Sequence, residues 1–456
     1  MSKFEKDLTS GSVVKKLILF ALPFVLSNFI QSLYSVADMI IIGNYTDSTC
    51  LTGVSNATQL TMLFTNAVIG LSVGGTVLIG QYLGSGNKKE IKKTIGTTFT
   101  LLIVIAVALM IVSPFASDPI FRLMQVDESC MEYANSYFIT CMMGTLFVFA
   151  YNALAGVMRG MGDSKHPMVF VIIAAVINIG LDIAFVKYLG MKAFGAALAT
   201  IISQAISVIL CVGYLVKNEF VFDFKLGSFR IDKEKLSGIV KIGFPTMLNN
   251  ICTSLSFVFL MTMANITDPA GGGAVGVVGK YNGFAILPAL GISSAISAMV
   301  AQNFGADNLK RVKQTFISGA IIAEAFTAVI FAISCIFPEQ ILGLFGDDPK
   351  LIELGTDYLS TFSFDYIIVP IQFCFNGLYI GSGHTTFALI SGMCSAILFR
   401  IPFCYVLGKV LGYGMKGIGA GGPIASIAAT TISVVFYFMG TWKKRTVNTD
   451  IKAEIQ

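Results

Sequence analysis

The chain has 456 residues, of which 55% are hydrophobic and only 12% charged, with a formal net charge of +5. A soluble domain carries roughly 25% charged residues, so this sequence cannot build a water-facing surface around itself. Runs of roughly 20 apolar residues recur along the whole length, each enough to cross a hydrocarbon core of about 30 Å. The composition implies an all-α, multi-pass membrane protein.

Turn signals and charges divide the chain into twelve predicted spans, at 16–43, 51–82, 94–115, 130–158, 167–187, 193–216, 236–265, 274–304, 314–336, 353–380, 386–408 and 415–441. The first span is too long for a signal-peptide core and lacks a small-residue cleavage site, so it is expected to remain attached. Residues 217–235, "KNEFVFDFKLGSFRIDKEK", form a polar cytoplasmic linker. The expected organisation is an N-terminal six-helix lobe over 1–216, the linker over 217–235 and a C-terminal six-helix lobe over 236–456.

Lysine and arginine orient the spans. With both termini in the cytoplasm, the cytoplasmic segments hold 23 of these residues, including Lys15, Lys16, Lys88, Lys89, Lys92, Lys93 and Arg311, against 6 in the opposite loops. The positive-inside rule favours that topology. The net positive charge therefore reports orientation and contact with anionic lipid in a bacterial-type plasma membrane, not nucleic-acid binding.

An internal repeat is visible. "QYLGSGNKKEIKKT" at 81–94 matches "QNFGADNLKRVKQT" at 302–315, and at the same offset of 221 "RGMGD" at 159 falls on "IGSGH" at 380. Six spans return the chain to its starting side, so the two lobes share one orientation and are related by a pseudo-two-fold axis along the membrane normal. At an offset of 222, Tyr34 and Asp38 fall on Ser256 and Leu260, and "NIGLD" at 178–182 falls on "RIPFC" at 400–404. One polar cluster thus belongs to the first half alone.

Among the acidic residues only Asp38, Asp182, Glu324 and Asp365 lie well inside spans. Each costs roughly 2.5 to 3.5 kcal/mol at a helix centre on insertion scales, and intramembrane carboxylates are functional by default. Asp38 and Asp182 each lie five residues before the outer end of an outward-running span, roughly 7 Å deep at 1.5 Å per residue. Tyr34 and Asn178 stand one helical turn from them on the same faces. Tyr137 and Thr200, each seven residues into an inward-running span, reach about 10 Å. These six residues are the candidate cation-coupling group. Carboxylates at close quarters can hold a proton, and Asp38, Asp182, Asn178 and Thr200 are also hard oxygen ligands suited to sodium. The spacing does not choose between the two ions, and the alternative is a pair of hydrogen-bonded structural acids. Asp365 is a candidate substrate-cleft residue. Lys280 and Arg400, the basic residues deep in spans, are expected to line that cleft or to partner buried acids or backbone carbonyls, while Glu324 reads as structural or as facing a boundary.

Pro23, Pro245, Pro288, Pro370 and Pro402 lie within spans and are expected to kink them. Nine cysteines without metal-ligand spacing read as small apolar filler. The two histidines lie at short turns, and no other metal site or cofactor is expected.

The six-plus-six repeat, "ALPF" at 21 and "GFP" at 243, the "QYLGSGN" and "QNFGADN" loops, and "GMGD" and "GSGH" after the fourth and tenth spans resemble the multidrug and toxic compound extrusion (MATE) family over essentially the whole chain. That resemblance implies a twelve-helix fold exporting organic cations and other amphiphiles, as a monomer, by antiport with protons or sodium. The branch related to DNA-damage-inducible (DinF-like) exporters places its coupling site in the first lobe. Its tyrosine and aspartate of helix one match Tyr34 and Asp38, its asparagine and aspartate of helix five match Asn178 and Asp182, and its helix-six threonine and helix-four tyrosine fall on Thr200 and Tyr137. The norfloxacin-exporting branch differs: its helix-seven glutamate falls on Thr253 here, although Asp365 resembles its helix-ten aspartate. A flippase for lipid-linked saccharides is the alternative within related folds, and it calls for a more basic cleft than Lys280 and Arg400 supply. A membrane-embedded enzyme would need a convergent nucleophile, base or metal set, which the spans do not carry, and no P-loop motif is present to draw on ATP.

Overall fold

A computed structural model describes residues 4–345 and 348–445. Among them regular structure is entirely helical, as a bilayer demands of a chain that must satisfy its own backbone polar groups. In order the helices are α1 (Val13–Tyr45), α2 (Ser48–Ser85), α3 (Lys88–Leu123), α4 (Glu128–Met143), α5 (Thr145–Gly160), α6 (Lys165–Asp182), α7 (Lys192–Lys217), α8 (Lys233–Thr267), α9 (Gly271–Ala285), α10 (Leu287–Gly305), α11 (Leu309–Ile336), α12 (Pro338–Gly343), α13 (Pro349–Phe362), α14 (Asp365–Gly381), α15 (Thr385–Met393), α16 (Ile401–Tyr405) and α17 (Gly414–Met439). Nine helical stretches among the described residues are long and apolar enough to cross a membrane, and twelve if three bent pairs each count as one span.

The bends are informative. α4 and α5 meet at 51°, α9 and α10 at 45°, and α13 and α14 at 56°. Pro288 sits in the first turn of α10, where its missing N–H costs nothing, so the second bend follows from sequence. The first has no proline: it lies at Gly144, where an added Cβ would stand 2.2 Å from Cγ1 of Ile201 on α7. The third precedes Asp365, five residues before the proline expected to cause it. The sixth helix continues past Asp182 as a wider π-helical turn over Ile183–Tyr188. π-helical turns also flank Pro402, at Cys394–Arg400 and Val406–Val410.

Two compact units form. The first holds residues 4–6, 26–83 and 87–241, and the second holds 7–25, 84–86 and the described residues from 242 onward. The division falls inside α1 just after Pro23 and inside α8 just before Pro245, rather than at 216 and 236. Each unit keeps the beginning of the other's first long helix. In the second unit Gln302 and Asn303, from the repeated loop, bond Leu8 at 2.9 and 3.2 Å, and Arg311 donates to the carbonyls of Ser10 and Gly11 at 2.6 and 2.8 Å. In the first unit the corresponding loop supplies Tyr82 and Glu90, which hold Lys235 at 2.8 and 2.7 Å. The linker is not a free tether. Phe222, Phe224 and Phe229 pack on Phe99 of α3, and Thr97 bonds both Arg230 and Asp232.

Helix contacts repeat as the sequence does. A Cβ on Gly160 would stand 2.5 Å from the Thr76 carbonyl oxygen, and one on Gly381 2.5 Å from that of Ser297, the equivalent position. Small residues let the backbones approach this closely.

Candidate functional site

The carboxyl-bearing positions converge within the first unit. Asp38 lies on the part of α1 that belongs to this unit, and Asp182 ends α6 where the helix widens. π-helical turns are frequent at functional sites, but Val406–Val410 repeats this one in the other half, so the turn is scaffold and the acid is the local addition. The Asp38 and Asp182 carboxyl groups face each other within hydrogen-bonding reach. Asp182 is completely buried. Among the described residues, no N–H or O–H donor reaches either of its oxygens or Oδ1 of Asp38. Two anionic carboxylates so placed would repel and lack donors, a costly arrangement in a low-dielectric interior. A captured cation removes both penalties.

The four other expected residues surround the pair. Tyr34 lies beside Asp38. Asn178, buried, donates through Nδ2 to Oγ1 of Thr200 at 3.5 Å, and its Oδ1 has no partner among the described residues. Thr200 in turn donates to the Ala196 carbonyl at 3.2 Å. Tyr137 is within electrostatic reach of both carboxyls, and its hydroxyl hydrogen-bonds Thr58 and lies against Cys141. An apolar cluster including Ile42, Ala57, Phe138 and Val186 packs around these groups. Thr58 and Cys141 escaped sequence reasoning. Thr58 carries the same signal as Tyr137 and Thr200, since it lies seven residues into an inward-running span.

The second unit is built differently at the equivalent place. Arg400 stands where Asn178 stands in the first half, and its Nη1 donates to Oγ of Ser256, the counterpart of Tyr34, at 3.4 Å. Its guanidinium lies over the Phe257 ring, 5.4 Å from the centroid. Asp365 is buried at the break between α13 and α14, bonds Ser426 and lies within electrostatic reach of Arg400. The second half also leaves Oδ1 of Asp365 unpartnered among the described residues, but it sets the fixed charge of Arg400 within electrostatic reach of that acid, where the first half has no cation. Lys280 does not join this group: it is exposed and has no acid partner among the described residues, contrary to its expected role beside a buried acid. Glu324 is half-buried on α11, with Oε1 unpartnered among the described residues. Among the described residues no three His, Cys, Asp or Glu side chains gather as a metal cluster.

The comparisons agree with this architecture. A family model described as MatE matches the chain twice, at residues 23–184 and 245–406, starts that lie 222 residues apart. The probable multidrug resistance protein YpnP from Bacillus subtilis is 28% identical over 96% of this chain and 97% of its own length. The probable multidrug resistance protein NorM from Thermotoga maritima is 27% identical over 95% and 94%. A solved structure of a MOP superfamily transporter from Pyrococcus furiosus superposes with a TM-score of 0.90 at 23% identity, covering 96% of this chain and 98% of that one. The chain belongs to the MatE family and is a multi-pass membrane transporter, not an enzyme.

Proposed function

We propose that the protein exports small amphiphilic molecules, organic cations among them, by antiport with a monovalent cation captured at Asp38 and Asp182. The observation that carries this reading is the facing carboxyl pair with three oxygens that, among the described residues, accept no hydrogen bond from an N–H or O–H donor. A proton between the two groups supplies the absent donor and removes the repulsion, and it is the favoured coupling ion. The unfilled Oδ1 of Asn178 beside them favours sodium as the second reading, since it adds a further hard oxygen. The relatives named for multidrug resistance support the substrate class.

Both termini lie in the cytoplasm in this reading, supported by the 23-to-6 distribution of lysine and arginine. Cation entry from outside fills the first-unit site, and substrate leaves outward. Substrate entering from the cytoplasm then displaces the cation inward. The driving force suffices: one charge gains about 2.3 kcal/mol per 100 mV, and one pH unit adds about 1.36 kcal/mol.

Ethidium accumulation inside energised inverted vesicles, whose cytoplasmic face is turned outward, tests the assignment. Wild type is expected to respond to an imposed proton gradient, and Asp38→Asn and Asp182→Asn to lose that response while reaching the membrane in normal amounts. A response restored only by sodium would select the second ion. Normal pumping by Asp38→Asn would place the coupling site elsewhere.

A further inference from the structure

Two hollows in the first unit have no part in the transport reading. One is a cavity of about 700 Å³ between the beginning of α3 and the linker, lined by Lys88, Lys89, Lys92, Lys93 and Arg230, with Asp232 its one acidic lining residue. Three of these cations are already paired, Lys88 with Glu5 at 2.9 Å, Lys92 with Asp223 at 2.9 Å and Lys93 with Glu90 at 2.8 Å. Lys89 and Arg230 are exposed and have no acid partner among the described residues. The cavity therefore presents two positive charges outside any ion pair, one on the helix and one on the linker, against the single lining carboxylate of Asp232.

The other hollow, of about 260 Å³, is lined by apolar side chains alone, among them Phe99 and Leu102 of α3, Leu146 and Ala150 of α5, and Phe224 and Phe229 of the linker. The two follow one another along α3. Lys92 and Phe99 are seven residues apart, about 10 Å of helix. The linker passes from one to the other between Phe229 and Arg230. A cationic chamber at the end of a span followed by an apolar groove one step deeper has the charge pattern of an amphiphile with an anionic head.

We propose that these two hollows form one binding site for an anionic phospholipid of the cytoplasmic leaflet, with its phosphate between Lys89 and Arg230 and an acyl chain in the groove. Basic pockets beside transmembrane helices on the cytoplasmic side take such headgroups. Uncharged and zwitterionic lipids fit the groove equally well but leave the two cations unneutralised. Because the linker contributes Arg230, Phe224 and Phe229, the occupied site holds residues 221–232 against α3. The leaflet assignment rests on the orientation proposed above; the site itself does not depend on the transport reading.

The test is electron paramagnetic resonance of the purified full chain in vesicles carrying spin-labelled phosphatidylglycerol or spin-labelled phosphatidylcholine. The wild type is expected to immobilise the anionic label preferentially. Lys89→Gln with Arg230→Gln should lower that preference by about fivefold per cation removed, and Ala150→Phe, which fills the groove, should lower it without touching a charge. Immobilisation of phosphatidylcholine by the general protein surface reports on folding in every sample. Unchanged preference in both variants overturns the proposal. Displacement of the label by glycerol phosphate, with Ala150→Phe inert, overturns the lipid in favour of a soluble phosphate. Since transport is not the readout, a failed extrusion assay and a failed lipid assay remain separate results.

Discussion

At the scale of single residues, the two halves show how one position can be used in opposite ways. Asn178 offers an unfilled oxygen beside a carboxyl pair, while Arg400, its counterpart, brings a permanent charge close to Asp365. Arg400→Gln should therefore strand a buried acid and lower stability by about 1–3 kcal/mol. Adding Asp365→Asn should recover most of that loss, giving a coupling of about 0.5–3 kcal/mol in a double-mutant cycle read by thermal melting in detergent. Simple additivity would show that the two groups do not sense each other. Much of the first site is legible in the sequence because helical rise turns residue number into depth: counting residues from the span ends is enough to put Asp38, Asp182, Tyr137 and Thr200 near one level. Azimuth is not legible in the same way. Thr58 has the right depth but no charge to mark it, and the isolation of the Asp182 oxygens depends on the donors around them.

At the scale of elements, sequence places most spans within about five residues, though α3 runs six and eight residues beyond the expected 94–115, and it locates the bends less well. A proline announces a missing donor, so the α9–α10 break at Pro288 is expected. The α4–α5 break is not, because Gly144 is special only through its approach to Ile201 on a distant helix. The segment before α1 shows the same limit, for its binding to Gln302, Asn303 and Arg311 spans 294 to 301 residues of chain and leaves no local pattern. This segment carries a pH prediction. Burial of Asp7 opposes its ionisation, but the hydroxyls of Ser10 and Thr9, the Thr9 amide and Lys16 outweigh it and hold the carboxyl down at about 2. A depressed folded value stabilises above the unfolded value near 4 and loses that contribution as pH falls toward 2. Hydrogen exchange over the N-terminal peptide, normalised for intrinsic rates, should show equal protection at about pH 6 and pH 5, then weaken below about pH 4. Protection that weakens already between pH 6 and pH 5 would contradict this account of Asp7.

At the scale of the whole molecule, the repeat separates what holds the protein together from what drives it. Gly160 and Gly381 occupy the same crossing in the two units, each about as close to a carbonyl as the other. Gly160→Ala and Gly381→Ala should lower melting temperature by similar amounts, corresponding to about 1–3 kcal/mol of overpacking. A large difference between them would mean that the halves are not equivalent scaffolds. The carboxyl pair has no such counterpart, since Leu260 and Cys404 stand at its positions in the second half. That asymmetry, legible in the sequence and given geometry by the fold, supports coupling in one unit on a symmetric frame.

The most direct test of that claim is to count protons released when ethidium is added to the purified protein in weakly buffered detergent solution. Release is expected from wild type and from Asp365→Asn, and none from Asp38→Asn or Asp182→Asn although ethidium still binds. Equal release from Asp38→Asn and wild type would contradict it.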